Sequence, residues 1–250
     1  MNKRHLLYPT ITYYSDPDVI TRYSKIGLTP VEELIVPRYF TPPGEVLVVG
    51  CGAGRTCIPL AERGHAVTGI DVIPEMINVA RRQARERNLE IAFHVMNAVE
   101  MDFPPASFPY IYFPYNGFEH LIGKGRQAKF LTDAARILKP GGVLILSCRS
   151  GLAFNKRLWA DAWMVLTHPW QRLRWGKEYA LGDKHFGKHT LHYTNPFRTI
   201  ARAKSVGLAL EYMNTTKRVL AGKPPSRFIH FSPDREIFYV FRKNSAAERV

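Results

Sequence analysis

The residues with chemical potential gather first at one turn. Gly50, Gly52 and Gly54 alternate with Cys51 and Ala53 directly behind the apolar run Val46-Leu47-Val48-Val49, and the acid Asp71 closes the next apolar stretch, Ala66-Val67-Thr68-Gly69-Ile70. Glycine lacks a Cβ, so the backbone can bend sharply and lie against a ligand. A helix read from Thr56 to Arg63 would aim its unpaired N–H groups at that ligand. A carboxylate at the end of the neighbouring strand can accept two hydrogen bonds from a ribose diol. A dinucleotide fingerprint needs a further glycine where Arg55 stands, and a phosphate-binding P-loop needs Gly-Lys-Ser/Thr; neither pattern is present.

The elements that must position these residues follow from periodicity. Strands are expected at 46–50, 66–71, 91–96, 109–114 and 142–148, with helices at 55–63, 74–87 and 126–138. The 74–87 helix carries Met76, Ile77, Val79, Ala80 and Ala84 on one side and arginines on the other. Strand and helix in alternation predict an α/β fold with a doubly wound, mostly parallel sheet and helices on both faces. Two helices should precede it, one entered near Thr12–Ile20 with Ser15 or Asp16 as cap, the other over Val31–Tyr39 behind Pro30. A helix at 196–206 and strands near 208–217 and 236–242 should finish the chain.

The glycine triplet, with its strand, helix, second strand and terminal acid, resembles the class I S-adenosylmethionine-dependent methyltransferases. The run Ile137-Leu138-Lys139-Pro140-Gly141-Gly142-Val143-Leu144 resembles the segment before that family's fifth strand. The resemblance implies one methyltransferase domain over 1–250 with a seven-stranded sheet whose last strand is antiparallel. Its parts would be an N-terminal helical cap at 10–40, a cofactor core at 45–148, a lid insertion after the fifth strand at 149–192, and a closing helix and strands at 193–242. The cofactor implied is S-adenosylmethionine, the product S-adenosylhomocysteine. Gly50, Cys51, Gly52, Ala53, Gly54 and Arg55 would hold its amino-acid end, and Asp71 its ribose. Val72 and Met76 would pack on the adenine, Asn97 and Ala98 would read its amino group, and Pro114 would stand on the same rim. The chain departs from the family at Asn97, where an aspartate is common, and at Pro109, where the fourth strand commonly has an acid. Arg55 reads equally as a partner for the cofactor's carboxylate or as a solvated helix-start residue.

Methyl transfer is a displacement at an already activated carbon, so the protein supplies alignment and sometimes a base. The segment Pro114-Tyr115-Asn116-Gly117-Phe118-Glu119-His120-Leu121 resembles the family's Asn-x-x-x-His-Leu loop, which borders the methyl group. His120 is the first candidate base because imidazole titrates near neutrality; Glu119 and Tyr115 are reserves. A histidine that only packs or caps the helix start is the competing reading. Tyr13, Tyr14 and Tyr23 could line the cap, or simply pack two helices on the sheet.

The 149–192 segment holds all four tryptophans and four histidines. Tyr14, Trp159, Trp163 and His189 are the candidate substrate contacts. The spacing of His185, His189 and His192 raises a metal site, but glycines nearby argue for loop and the sequence offers no obvious acid, so no metal is expected. The aromatic and basic mixture reads first as a lid over a small molecule, next as an interfacial patch on anionic lipid, and last as a stacking surface for nucleic acid. A net charge of +14 permits all three; the absence of a recognisable binding module or basic tail puts nucleic acid last.

The function expected is methylation of a small-molecule or lipid-linked acceptor, with oxygen, nitrogen or carbon as the accepting atom. The alternatives are a catalytically weak sensor or scaffold that binds the cofactor, and an RNA or nucleotide methyltransferase. Three sparse cysteines (Cys51, Cys57, Cys148) suggest free thiols in a reducing compartment. The N-terminus lacks a long apolar core, so a cytoplasmic protein, in possible peripheral contact with a membrane, is the expectation.

Overall fold

The computed structural model describes residues 10–150, 166, 169, 170, 180, 183–185, 190–226, 229, 232, 234 and 236–245. Trp159, Trp163 and His189 lie outside the described residues. A helical stretch at 10–14 comes first, followed by α1 (Pro17–Tyr23), capped by the Asp16 carboxylate, and α2 (Pro30–Tyr39). The core then alternates: β1 (Glu45–Val49), α3 (Cys57–Glu62), β2 (Ala66–Asp71), α4 (Pro74–Arg85), β3 (Ala92–Val95), β4 (Phe108–Phe113), α5 (Arg126–Ile137) and β5 (Leu138–Arg149). A short hairpin, β6 (Asp183–His185) with β7 (Thr190–His192), precedes α6 (Pro196–Ser205), β8 (Leu208–Thr215), α7 (Thr216–Leu220) and β9 (Glu236–Lys243).

The main sheet has seven strands in the order β3-β2-β1-β4-β5-β9-β8. Strands β3 to β5 run parallel, and β9 enters antiparallel between β5 and β8. Alternation along β1 explains the double winding. Leu47 and Val49 face the side covered by Phe130, Leu131 and Ala134 of α5; Val46 and Val48 face the side covered by Ile35 and Val36 of α2 and Ile77 and Ala80 of α4. The side chains of Val46, Leu47, Val48 and Val49 are fully buried, each contributing about 1.5–3 kcal/mol of apolar burial. The order reverses at β1, whose neighbours are β2 and β4. Between the carboxyl ends of such strands a crevice opens, because the two crossovers leave in opposite directions.

One boundary differs from expectation. Strand β5 begins at Leu138, not at 142, so the Pro-Gly-Gly segment is built into the strand. Phe108 pairs with Leu138 and Tyr110 with Val143, so residues 139–142 bulge opposite Pro109, which donates no ladder hydrogen bond. Gly142 is required there: a Cβ would lie 2.8 Å from the Lys139 carbonyl and 2.9 Å from that of Pro109.

Candidate functional site

The turn after β1 takes the left-handed backbone that its glycines allow, with φ of 62° at Gly50, 53° at Gly52 and 89° at Gly54. Asp71 braces it from the end of β2. Its Oδ2 accepts the Gly52 amide at 2.9 Å, and its Oδ1 accepts the Ile73 amide at 3.0 Å. Burial raises the Asp71 pKa above the ordinary carboxylate value, against the pull of those backbone amides. The two oxygens still have acceptor capacity beyond these bonds.

A cavity opens over this turn at the carboxyl ends of β1, β2 and β4. Gly50, Cys51, Gly52, Arg55, Asp71, Val72, Met76, Asn97, Ala98, Pro114, Tyr115 and His120 all line it, as does Tyr14. Ala53 and Gly54 do not. Ala53 is buried against Ile73 and Met76, and its carbonyl accepts from Gln83 at 2.8 Å. Gly54 lies where a Cβ would come within 3.3 Å of Ala80. These two let helix α4 approach the turn and are absent from the cavity lining. Cys51 contributes to the wall, but its thiol is buried in the core beside Gly69, and burial pushes its pKa up.

Arg55 fits neither sequence expectation fully. Its two terminal nitrogens pair with both oxygens of Glu32 at 2.8 Å, and one also reaches the Gly27 carbonyl at 2.8 Å. Glu32 in turn accepts the Tyr112 hydroxyl at 2.6 Å and the Thr29 amide at 2.6 Å, closing the capping box of α2. Arginine and these hydrogen bonds hold the Glu32 pKa low although burial alone would raise it. The guanidinium also sits 5.0 Å from the Tyr115 ring centroid. Arg55 thus ties α2 to the cofactor turn, and any charge pairing with a ligand carboxylate would be shared with Glu32.

The far wall comes from the segment after β4. Tyr115 and Asn116 both hold positive φ, 52° and 58°, a strained pair for non-glycine residues. The sheet enforces it: the Asn116 amide donates to Ser147 Oγ at 2.9 Å, and its side chain donates to Glu236 Oε1 at 2.9 Å. A 3₁₀ turn (Gly117–His120) follows and presents His120 to the cavity. Its Nε2 lies 3.3 Å from the Tyr14 hydroxyl, with the rings edge to face at 5.3 Å. Burial raises the Tyr14 pKa far above that of free tyrosine, so the phenol keeps its proton.

Glu119, a reserve base in the sequence reading, does not line the cavity. It is fully buried on the sheet side of the turn, where Oε1 accepts the Arg149 amide and Oε2 stands 3.5 Å from the Arg149 guanidinium. Burial pushes its pKa up to about 7. A turn tight enough to show His120 to the cavity points its neighbour away. Asn97 lines the cavity as expected, with its Oδ1 accepting the Val99 amide at 3.2 Å.

Sequence reasoning missed Thr10, Phe113, Leu121 and Arg126, which complete the walls. It also missed an acid beside His192: the ring Nδ1 lies 2.7 Å from Asp183 across the β6–β7 pair. Asp183 sat nine residues upstream, invisible without the hairpin register. Among the described residues no group of three metal-ligating side chains comes together.

Residues 46–142 match the model of a methyltransferase-domain family. A demethylmenaquinone methyltransferase of Tropheryma whipplei is 39% identical over 104 residues, 41% of this chain and 40% of its own. A ubiquinone biosynthesis O-methyltransferase of Methylocella silvestris is 29% identical over 202 residues, 80% of this chain and 70% of its own. The match thus spans about two fifths of the length of the first of these relatives. The fold is shared with a solved S-adenosylmethionine-dependent methyltransferase of Methanosarcina mazei (TM-score 0.67, 20% identity, 88% of this chain and all of that one). It is also shared with the CcbJ methyltransferase of Streptomyces caelestis (TM-score 0.66, 17% identity, 94% and 99%). Residues 46–142 thus carry a methyltransferase domain, and the chain has the class I, Rossmann-like fold of solved S-adenosylmethionine-dependent methyltransferases.

The cavity suits that family's cofactor by its own chemistry. The turn beside Gly52 has open space, with only the Met76 sulfur 4.0 Å from where a Cβ would stand. The Asp71 carboxylate supplies acceptors for a diol, and Val72, Ile73 and Met76 form an apolar slot for a flat base. Among the described residues the wall holds no lysine, which suits a cofactor that carries no phosphate.

Proposed function

We propose that this chain transfers a methyl group from S-adenosylmethionine to a hydroxyl oxygen of a small-molecule or lipid-linked acceptor. The observation that carries the reading is the Tyr14–His120 pair on the cavity wall. A tyrosine that keeps its proton can donate to Nε2, 3.3 Å away, and both side chains line the cavity. When bound, the cofactor supplies an activated methyl carbon. An incoming hydroxyl takes the place of the phenol as donor to Nε2, and His120 accepts its proton as the oxygen becomes nucleophilic. Tyr14 holds the ring edge to face and keeps it aimed. The strained Tyr115–Asn116 backbone, fixed to β5 and β9, holds the 3₁₀ turn in register with the glycine turn.

The name of one relative, a ubiquinone biosynthesis O-methyltransferase, supports an oxygen acceptor; that of the other, a demethylmenaquinone methyltransferase, names no accepting atom. Leu166 and Trp170, 71% and 74% exposed, support a membrane-facing surface on the 149–192 segment that would serve a lipid-linked acceptor. No helix among the described residues is long and apolar enough to cross a membrane. The test is production of S-adenosylhomocysteine by the purified protein with hydroxylated and amino-bearing arenes in parallel. Turnover confined to hydroxylated acceptors and lost in His120→Ala is expected. Cofactor binding with no turnover on any acceptor would instead favour a sensor or scaffold. Co-sedimentation with anionic liposomes tests the membrane surface.

A further inference from the structure

A chain of rings runs along one wall of the cavity. His120 meets Tyr14 at 5.3 Å between ring centroids, Tyr14 meets Tyr23 at 5.5 Å, and Tyr23 meets Tyr115 at 6.1 Å, each edge to face. All four residues line the cavity. Tyr115 ends this chain and stands apart in two ways. Its backbone is left-handed, with φ of 52°, a costly conformation for a bulky side chain. It is also 54% exposed, although the Arg55 guanidinium sits 5.0 Å from its ring centroid and Tyr23 packs against it. Burial of the ring therefore does not explain the strain. Arg55 is itself fixed by both oxygens of Glu32 and by the Gly27 carbonyl, so the open ring rests on a rigid support.

The position of the ring tells which ligand it meets. Tyr115 follows β4, whereas Asp71 and the apolar slot of Val72, Ile73 and Met76 lie at and just beyond the end of β2, and β1 lies between those strands. The ring thus stands across the glycine turn from the slot for the flat base, and on the same short segment as His120. A tyrosine held open in this way adds to binding beyond mere contact area when the group it meets is aromatic. We infer that Tyr115 selects the methyl acceptor by flatness: it packs against the ring that carries the reacting hydroxyl, so that the acceptor class is a hydroxylated arene and not an aliphatic alcohol. This rests on the proposed methyl transfer and deepens it. The Ser147 and Glu236 bonds to Asn116 hold the strained pair in place, and the result of that strain is a ring turned to the cavity instead of the core.

The experiment uses the full chain saturated with S-adenosylhomocysteine and measures binding of 4-methylcatechol and of its saturated counterpart, 4-methylcyclohexane-1,2-diol, by calorimetry. The two probes share their hydroxyl pattern and differ in flatness. The arene should bind the wild type about tenfold tighter, near the upper range of an aromatic contact beyond its area. In Tyr115→Leu the preference should shrink to about twofold with diol binding unchanged, and in Tyr115→Phe it should stay near its wild-type value. Affinity for S-adenosylhomocysteine is recorded first and should agree within about twofold among the three proteins. Equal binding of the two probes to the wild type, binding of neither, a preference that survives in Tyr115→Leu or one that is lost in Tyr115→Phe would each overturn the inference. So would a loss of about tenfold in S-adenosylhomocysteine affinity in Tyr115→Leu, which would assign the ring to the cofactor. A wild type that binds S-adenosylhomocysteine but shows no preference for the arene defeats only the role of Tyr115; a wild type that ignores it defeats the methyl-transfer reading itself.

Discussion

Replacing Glu119 with glutamine should flatten the pH dependence of stability near neutrality. This carboxyl is fully buried, with the Arg149 amide on one oxygen and the Arg149 guanidinium 3.5 Å from the other. Burial raises its pKa from 4.5 to about 7. The folded chain therefore holds this proton more tightly than the unfolded chain does. The stability it confers is complete below pH 4.5 and is lost as pH rises through about 7. At about 1.4 kcal/mol per tenfold change in proton affinity, the loss across that window is roughly 3 kcal/mol. Glutamine keeps the shape and an acceptor for the Arg149 amide but carries no proton to lose. Urea unfolding of both proteins at pH 5, 6, 7 and 8 isolates the effect, because every other titrating group is shared. The wild type should lose stability relative to Glu119→Gln with each step upward, by a total near 3 kcal/mol. Because Glu119 faces the sheet and not the cavity, S-adenosylhomocysteine should bind the variant with unchanged affinity. Parallel stability curves for the two proteins would refute the burial argument.

Other perturbations should act on separate parts of the site. His120→Ala should lower turnover by about a hundredfold, the usual size for a general base, while cofactor affinity by calorimetry stays within a small factor. Tyr14→Phe should lower turnover less, and should shift the pH–rate profile because the hydrogen bond to Nε2 is gone. Glu32→Gln should destabilise the fold by about 3–5 kcal/mol in chemical denaturation, since it breaks the buried pair with Arg55. Gly117→Ala should disrupt the 3₁₀ turn, because its Cβ would collide with the Phe113 ring; a normal thermal transition with normal turnover would contradict that contact.

The sheet was legible because its strands are buried on both faces and read as apolar runs. Val46–Val49 and Tyr110–Phe113 needed no tertiary information to be seen. The glycine turn and Asp71 were legible because their chemistry is local: one bend, one strand end. What the sequence hid were pairings made at long range. Arg55 meets Glu32 from a helix formed earlier in the chain, so nothing local showed that its charge is balanced. His120 and Glu119 are adjacent in sequence and both ionisable, and only the 3₁₀ turn puts one in the cavity and the other behind it. Ala53 and Gly54 shared the glycine motif with Gly50 and Gly52 but serve helix packing. Arg126 went unnoticed because a basic residue opening an amphipathic helix looks like an ordinary solvated one.

The most direct measurement is calorimetric titration of S-adenosylhomocysteine into the wild type and into Asp71→Ala. Binding on the order of micromolar is predicted for the wild type, and a loss of about a hundredfold for the variant, as two charge-assisted bonds to the ribose disappear. No heat from the wild type at millimolar ligand, or equal affinity in the two proteins, would contradict the assignment of this cavity.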